Sequence, residues 1–109
     1  MKPWEIWTWN FPENIGRHPA VIVSSAARAG RKPLVEILRC TSQKAGRSAQ
    51  PGEVLLDRAD GLDWETLCRC DLLWLVEKAK LTGKRGSVTR IRRRQIVDKI
   101  NAALGWKLV

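Results

Sequence analysis

The chain has no tyrosine, and one phenylalanine, one histidine and one methionine among its 109 residues. Its aromatic character rests on six tryptophans. No apolar run approaches the roughly 20 residues that a helix needs to cross a bilayer. The opening Met1-Lys2-Pro3-Trp4-Glu5 has no signal-peptide core. Both absences favour a cytoplasmic protein and argue against membrane insertion. Cysteine is scarce as well. Cys40, Cys68 and Cys70 are odd in number, and the nearest pair is C-x-C. With one histidine and no fourth ligand at suitable spacing, a zinc site is not supported, and no metal or other cofactor is expected. The cysteines read as small buried side chains in a reducing compartment. Internal repeats and low-complexity tracts are missing too, which speaks against a solenoid or a long linker.

What the chain has in excess is positive charge. Its formal net charge is +9 and its pI is about 10.2. Residues 1–52 carry eight bases and three acids, residues 53–77 carry two and seven, and residues 78–109 carry ten and one. A basic surface interrupted by an acidic segment suggests a polyanion on one face, with nucleic acid ahead of simple solvation. The length is one domain's worth, spanning 1–109, and 44% hydrophobic residues suffice for a core.

Along the chain, residues 4–9 mix aromatic and β-branched side chains and read as a strand. Residues 10–16, with Pro12 and Gly16, read as a loop. A short apolar run at 20–24 predicts a buried strand, and 26–33 a loop. Strands follow over 34–41 and 53–56, with a mobile polar loop over 42–52 between them. Asp60-Gly61 marks a turn. Helix and strand both suit 64–76, with strand favoured over 68–76. Residues 80–87 hold two glycines and read as a loop or short hairpin. Thr89 is a candidate N-cap for a helix whose apolar positions Ile91, Ile96, Val97, Ile100, Ala103 and Leu104 follow helical spacing, and Gly105 is its candidate C-cap. Short strands, polar loops and a terminal helix describe a small α+β, mainly β domain. A partly closed antiparallel barrel would hide its edges.

Two strand edges concentrate polar chemistry. Arg17 and His18 precede Pro19 and the run Ala20-Val21-Ile22-Val23. One strand later Leu38-Arg39-Cys40 leads into Thr41 and Ser42. Proline fixes φ and lacks an N–H, so it suits a strand's first position. If the two strands are neighbours, a cation, an imidazole and two hydroxyls meet where a phosphate could be held and protons moved.

These fragments, in this order, resemble the MazF/PemK family of toxins from bacterial toxin–antitoxin pairs. Trp4-Glu5-Ile6-Trp7 is similar to the family's first strand, Arg17-His18-Pro19-Ala20-Val21-Ile22-Val23-Ser24 to its Arg-Pro-Ala-Val-Val-Ile-Ser strand, and Cys40-Thr41-Ser42 to its Ile-Thr-Ser. Glu53-Val54-Leu55-Leu56 with Gly61-Leu62, and Cys70-Asp71-Leu72-Leu73, are similar to later segments. The resemblance implies an SH3-like β-barrel with a C-terminal helix, a homodimer, and metal-free cleavage of single-stranded RNA. It places an Arg beside the Pro, and the Thr of Thr-Ser, at the centre of cleavage. Thr41 matches that Thr. The Arg match is offset: His18 precedes Pro19 and Arg17 lies one place back, and a one-residue offset reverses side-chain direction in a strand. Either His18 has taken the duty, or Arg17 reaches in, or cleavage is lost.

The expected site is therefore Arg17, His18, Thr41 and Ser42, acting on the phosphate. Lys44 and Arg47 are expected to hold flanking phosphates by charge, and Trp7 is a candidate for base stacking. Arg92, Arg93 and Arg94, in a cationic run starting at Arg90, oppose the helix dipole and are expected to bind a partner such as an acidic antitoxin. The other function class is a non-catalytic module of the same fold that binds nucleic acid or protein, as a gyrase poison or a transcription regulator does.

Overall fold

β1 (Glu5–Phe11) and β2 (Gly16–Ile22) form an antiparallel hairpin in a computed structural model that describes residues 1–42 and 48–106. Its turn is tight because Glu13 and Asn14 adopt left-handed φ values of 59° and 64°, the geometry that lets a short turn follow the strands' twist. The Ile15 N–H closes the turn on the Pro12 carbonyl at 3.2 Å. Both strands run further into the expected 10–16 loop than the sequence suggests, and Pro19 stands inside β2, opposite Thr8. This is tolerated because β2 pairs with the next strand only from Ala20 onward. At Pro19 one side of β2 is an edge, where a missing N–H breaks no ladder bond.

α1 (Ala26–Arg31) follows, where a loop is expected from the sequence. Its start is fixed by Ser25, whose Oγ accepts the Arg28 N–H. β3 (Leu34–Ser42), β4 (Glu53–Leu56) and the long β5 (Thr66–Glu77) agree with the sequence reading to within a residue or two. β6 (Thr82–Ser87), expected as a loop or short hairpin, is a strand paired with β1. Gly83 and Gly86 weaken its intrinsic preference, and pairing with β1 overrides them.

The strands make one antiparallel sheet in the order β4-β5-β3-β2-β1-β6, curled into a half-barrel. It carries a core on each face. Ile6, Val21, Leu38, Leu56, Cys68 and Ile96 pack on one side, and Phe11, Ala20, Ile22, Ile37 and Val76 on the other. All three cysteines are free and buried, with Cys40 directly opposite Cys68. The hydrogen bond from Cys40, then Cys70 and burial, hold the Cys68 thiol well above its usual range. The two outer ends of the sheet approach where the turn after β4 meets β6. A Cβ on Gly86 would overlap the Asp60 carbonyl, and one on Gly61 would lie 2.8 Å from the Arg85 carbonyl. Only glycine admits so close a backbone contact.

α2 (Arg90–Leu104) has the ends that the sequence predicts. Thr89 stands at its N-cap position without a side-chain cap, and its N–H donates to Asp60 Oδ1 at 2.8 Å. Gly105, at φ 60°, donates to the Asn101 carbonyl. Among the described residues no helix is long and apolar enough to cross a membrane.

Candidate active site

Strand alternation separates the residues that the sequence groups together. On β3, Val35 and Ile37 face one core while Leu38 and Cys40 face the other. Thr41 therefore shares a face with the first pair and Ser42 with the second. On β2, His18 is on the face of Ala20 and Ile22, and Arg17 on the face of Val21. The last β2–β3 pair is Ala20 with Arg39. The pairing of β2 with β3 ends there, so alternation gives His18 and Thr41 the same face of the sheet without pairing them. Arg17 and Ser42 lie on the other.

The geometry around Thr41 comes from an irregularity of β5. Leu38 pairs with Leu73, but Cys40, two residues on, pairs with Cys68. Four β5 residues, Arg69 to Leu72, thus stand across from the single residue Arg39. Extra residues bend a strand and re-aim its side chains, a device common beside active sites. Here the bulge opens a cavity of about 390 Å³ lined by Arg39, Thr41, Gln50, Gly52, Glu53, Arg69 and Asp71. The Cys70 N–H donates to the Gly52 carbonyl at 2.8 Å, which ties the bulge to the start of β4.

The electrostatics of the cavity follow from its pairs. Arg69 Nε donates to Asp71 Oδ1 at 2.6 Å. That bond holds the Asp71 carboxyl below the usual carboxylate range and raises Arg69. Glu53 Oε1 accepts the Gln50 N–H at 2.9 Å. Arg39 forms no hydrogen bond or ion pair with a described residue, and its Nε is buried without a partner.

His18 does not line this cavity. Its Nε2 lies 3.0 Å from the Ile15 carbonyl, and its ring meets Phe11 edge-on at 6.1 Å. A carbonyl only accepts, so Nε2 carries the hydrogen, and in the neutral ring Nδ1 is the acceptor. Ser42 Oγ accepts the Trp64 Nε1–H at 3.0 Å. Trp7 is half-buried at the margin of the second core, its Nε1 donating to Glu5. Lys44 and Arg47 lie outside the described residues.

The arginines of α2 are largely engaged within the chain. Arg92 donates to both Asp57 oxygens and to Asp60 Oδ2, at 2.6 to 3.0 Å. Asp57 is lowered by Arg92, and Arg92 is raised by Asp57 and Asp60. Arg93 Nε donates to the Val88 carbonyl at 2.7 Å. Arg94 is 83% exposed and meets Asp98 one turn on, at 3.6 Å. Among the described residues no three His, Cys, Asp or Glu side chains cluster as metal ligands do.

Arg39, Arg69 and Asp71 are the cavity residues that sequence reasoning passes over. The register shift that gathers them has no sequence signature: helix and strand both suit residues 64–76, and the stretch favoured as strand, 68–76, carries no mark of a bulge. A charged residue at an inward strand position, as Arg39 is, was the available signal.

Residues 2–104 match the sequence profile of PemK-like, MazF-like toxins of type II toxin–antitoxin systems. Among curated proteins none matches significantly in sequence. The fold is similar to that of a mycobacterial endoribonuclease solved with its cognate antitoxin, with a TM-score of 0.83, 23% identity, and coverage of 100% of this chain and 99% of that one. It is also similar to the Mycobacterium tuberculosis toxin MazF-mt6, with a TM-score of 0.79, 16% identity, and coverage of 95% and 99%. A third likeness is to a chain of the MazE-MazF structure (Form-II) from Deinococcus radiodurans, with a TM-score of 0.76, 20% identity, and coverage of 98% and 97%.

Proposed function

Because this chain belongs to the PemK-like, MazF-like toxins of type II toxin–antitoxin systems, we propose that it is a cytoplasmic endoribonuclease that cleaves single-stranded RNA without a metal ion. The observation that carries the reading is the cavity at the β5 bulge, which joins the Thr41 hydroxyl to two arginines and an aspartate. Cleavage by transfer needs an acceptor for the 2′-hydroxyl proton and donors for the charge that builds on phosphorus. Asp71, kept ionised by Arg69, is the acceptor. Thr41 donates to a non-bridging oxygen. The 2′-oxygen bonds to phosphorus as the bond to the 5′-oxygen breaks, and that oxygen takes a proton from solvent. The products are a 2′,3′-cyclic phosphate and a 5′-hydroxyl.

Of the group read from the sequence, Thr41 stands at the centre of this proposal, and His18 shares its face without lining the cavity. Arg17 and Ser42 face away. An acidic antitoxin segment neutralises the toxin and competes with RNA. Arg90 and Arg94, exposed beside the apolar Ile91 and Val97 of α2, are its suggested contacts. Arg92 serves the fold.

The test is a gel of single-stranded RNA incubated with purified protein in EDTA. Cleavage should persist in the chelator, and Thr41→Ala should slow it roughly a hundredfold, the usual cost of losing one transition-state donor. Equal cleavage by Thr41→Ala and wild type would remove Thr41 from the site. Tight binding without any cleavage would assign the chain to the non-catalytic class.

A further inference from the structure

Arg39 is a cation in an awkward place. It sits inside β3, the central partner of β2 and β5, with the small Ala20 opposite it on one side. On the other side the bulge leaves no β5 residue paired with it. Its neighbours on the strand, Leu38 and Cys40, are wholly buried. Its Nε is shut off from solvent and unbonded. An arginine usually keeps its head in water or meets a carboxylate. The two carboxylates of the cavity are already engaged, Asp71 by Arg69 and Glu53 by the Gln50 N–H. A buried donor with no acceptor costs stability. The rest of the guanidinium, on a half-buried side chain that lines the cavity, is bonded to no described residue and is placed to meet an acceptor that arrives with a ligand.

The ligand chemistry follows from the fork. A guanidinium offers parallel N–H donors that match two oxygens of one phosphate. Thr41, two residues on and on the same face, lines the same cavity and adds a hydroxyl. Glu53 and Asp71 disfavour a second negative charge, so the singly charged phosphodiester suits the cavity better than a dianionic terminal phosphate. We propose that Arg39 is the residue that anchors the scissile phosphodiester, supplying from β3 the cation that β2 does not present on this face. The identity of that phosphodiester as RNA rests on the function proposed above. The anion site itself rests on Arg39.

Binding and cleavage separate the two. The binding probe is a single-stranded oligonucleotide with every 2′-oxygen methylated, which cannot be cut by transfer. Arg39→Met, which keeps an apolar stem, should bind it about tenfold more weakly, and its salt dependence should fall by about one phosphate contact. Cleavage of unmodified RNA should fall roughly a hundredfold or more. Arg39→Lys should recover part of the binding but little of the rate, because the fork is lost. Arg31→Gln, which removes an exposed cation of α1, should stay within twofold of wild type in both.

Thermal melting supplies a readout that a structural role would not give. Removing a buried, unbonded donor should leave the midpoint of Arg39→Met unchanged or raised, while weakening the rise that the oligonucleotide produces. A midpoint lowered by several degrees would make Arg39 a structural residue and overturn the proposal. So would binding and cleavage by Arg39→Met within twofold of wild type. If wild type binds the probe through Arg39 yet cuts no RNA, the nuclease reading fails and the anion site stands. If wild type cuts RNA and Arg39→Met cuts equally well, the nuclease reading stands and Arg39 is discarded.

Discussion

Glu5 shows how a single carboxylate is kept charged at the edge of a core. Burial alone would push it up. The Lys84 ammonium at 2.9 Å, the Lys2 N–H and the Trp7 Nε1–H outweigh that and bring it down to about 2. A depressed carboxyl stabilises the fold above its unfolded value, near 4.5, and that stability is lost as pH falls through the folded one. Lys84 is half-exposed, so solvent screening reduces the gain to on the order of 1–2 kcal/mol. Glu5→Gln should therefore lower the urea midpoint at pH 7. The difference from wild type should shrink steadily below pH 4.5 and vanish near pH 2. A difference that persists undiminished at pH 2 would show that packing, and not charge, is what Glu5 supplies.

At the level of elements, α2 is held by an ion network rather than by a wide apolar stripe. Of its apolar positions only Ile96 is wholly buried, and Ile91 is 75% exposed. Arg92 bridges Asp57 and the fully enclosed side chain of Asp60, which also accepts the Asp57 and Thr89 N–H groups. Removing one partner of an enclosed pair strands the other, at a cost of about 3–5 kcal/mol. Arg92→Ala should cost most of that in urea unfolding, while Arg94→Ala, whose pair is exposed, should cost under about 0.5 kcal/mol. Similar losses for both would deny the network its role. Elements were legible where one signal was local and strong. The apolar β3 and β4 runs and the Gly105 stop were of this kind, as was the position of Thr89. α1 was missed because its six residues carry a glycine and three basic side chains lie nearby. β6 reads only as a loop or short hairpin because its glycines answer to a distant strand. Thr41 could be read from its place at a strand end. Its cavity could not, because Arg39, Arg69 and Asp71 meet only through a register shift between strands far apart in sequence.

Seen whole, the molecule leaves apolar surface uncovered. Leu72, Leu73 and Leu75 of β5 are exposed at 42%, 38% and 57%. β4 reaches only the first part of β5, pairing with Thr66 to Arg69, so the leucines lie beyond its cover. Such surface on a small domain favours association, and we expect a homodimer, the assembly that the sequence also suggests. Sedimentation at micromolar concentration should give twice the chain mass, and Leu75→Asp should move it toward the monomer. A monomer for the wild type would contradict this.

The pairing of β1 with β6 brings Glu5 beside Ser87, so the sheet's register joins strands far apart in sequence. On a ribosome this has an order built into it. β1 must wait, with one edge bare, until β6 has followed it. Contacts of such long sequence separation slow folding to the millisecond-to-second range typical of β-rich domains. Synthesis therefore gives way to a folded toxin only after a delay, during which the nascent chain's open edge is available to whatever binds it first.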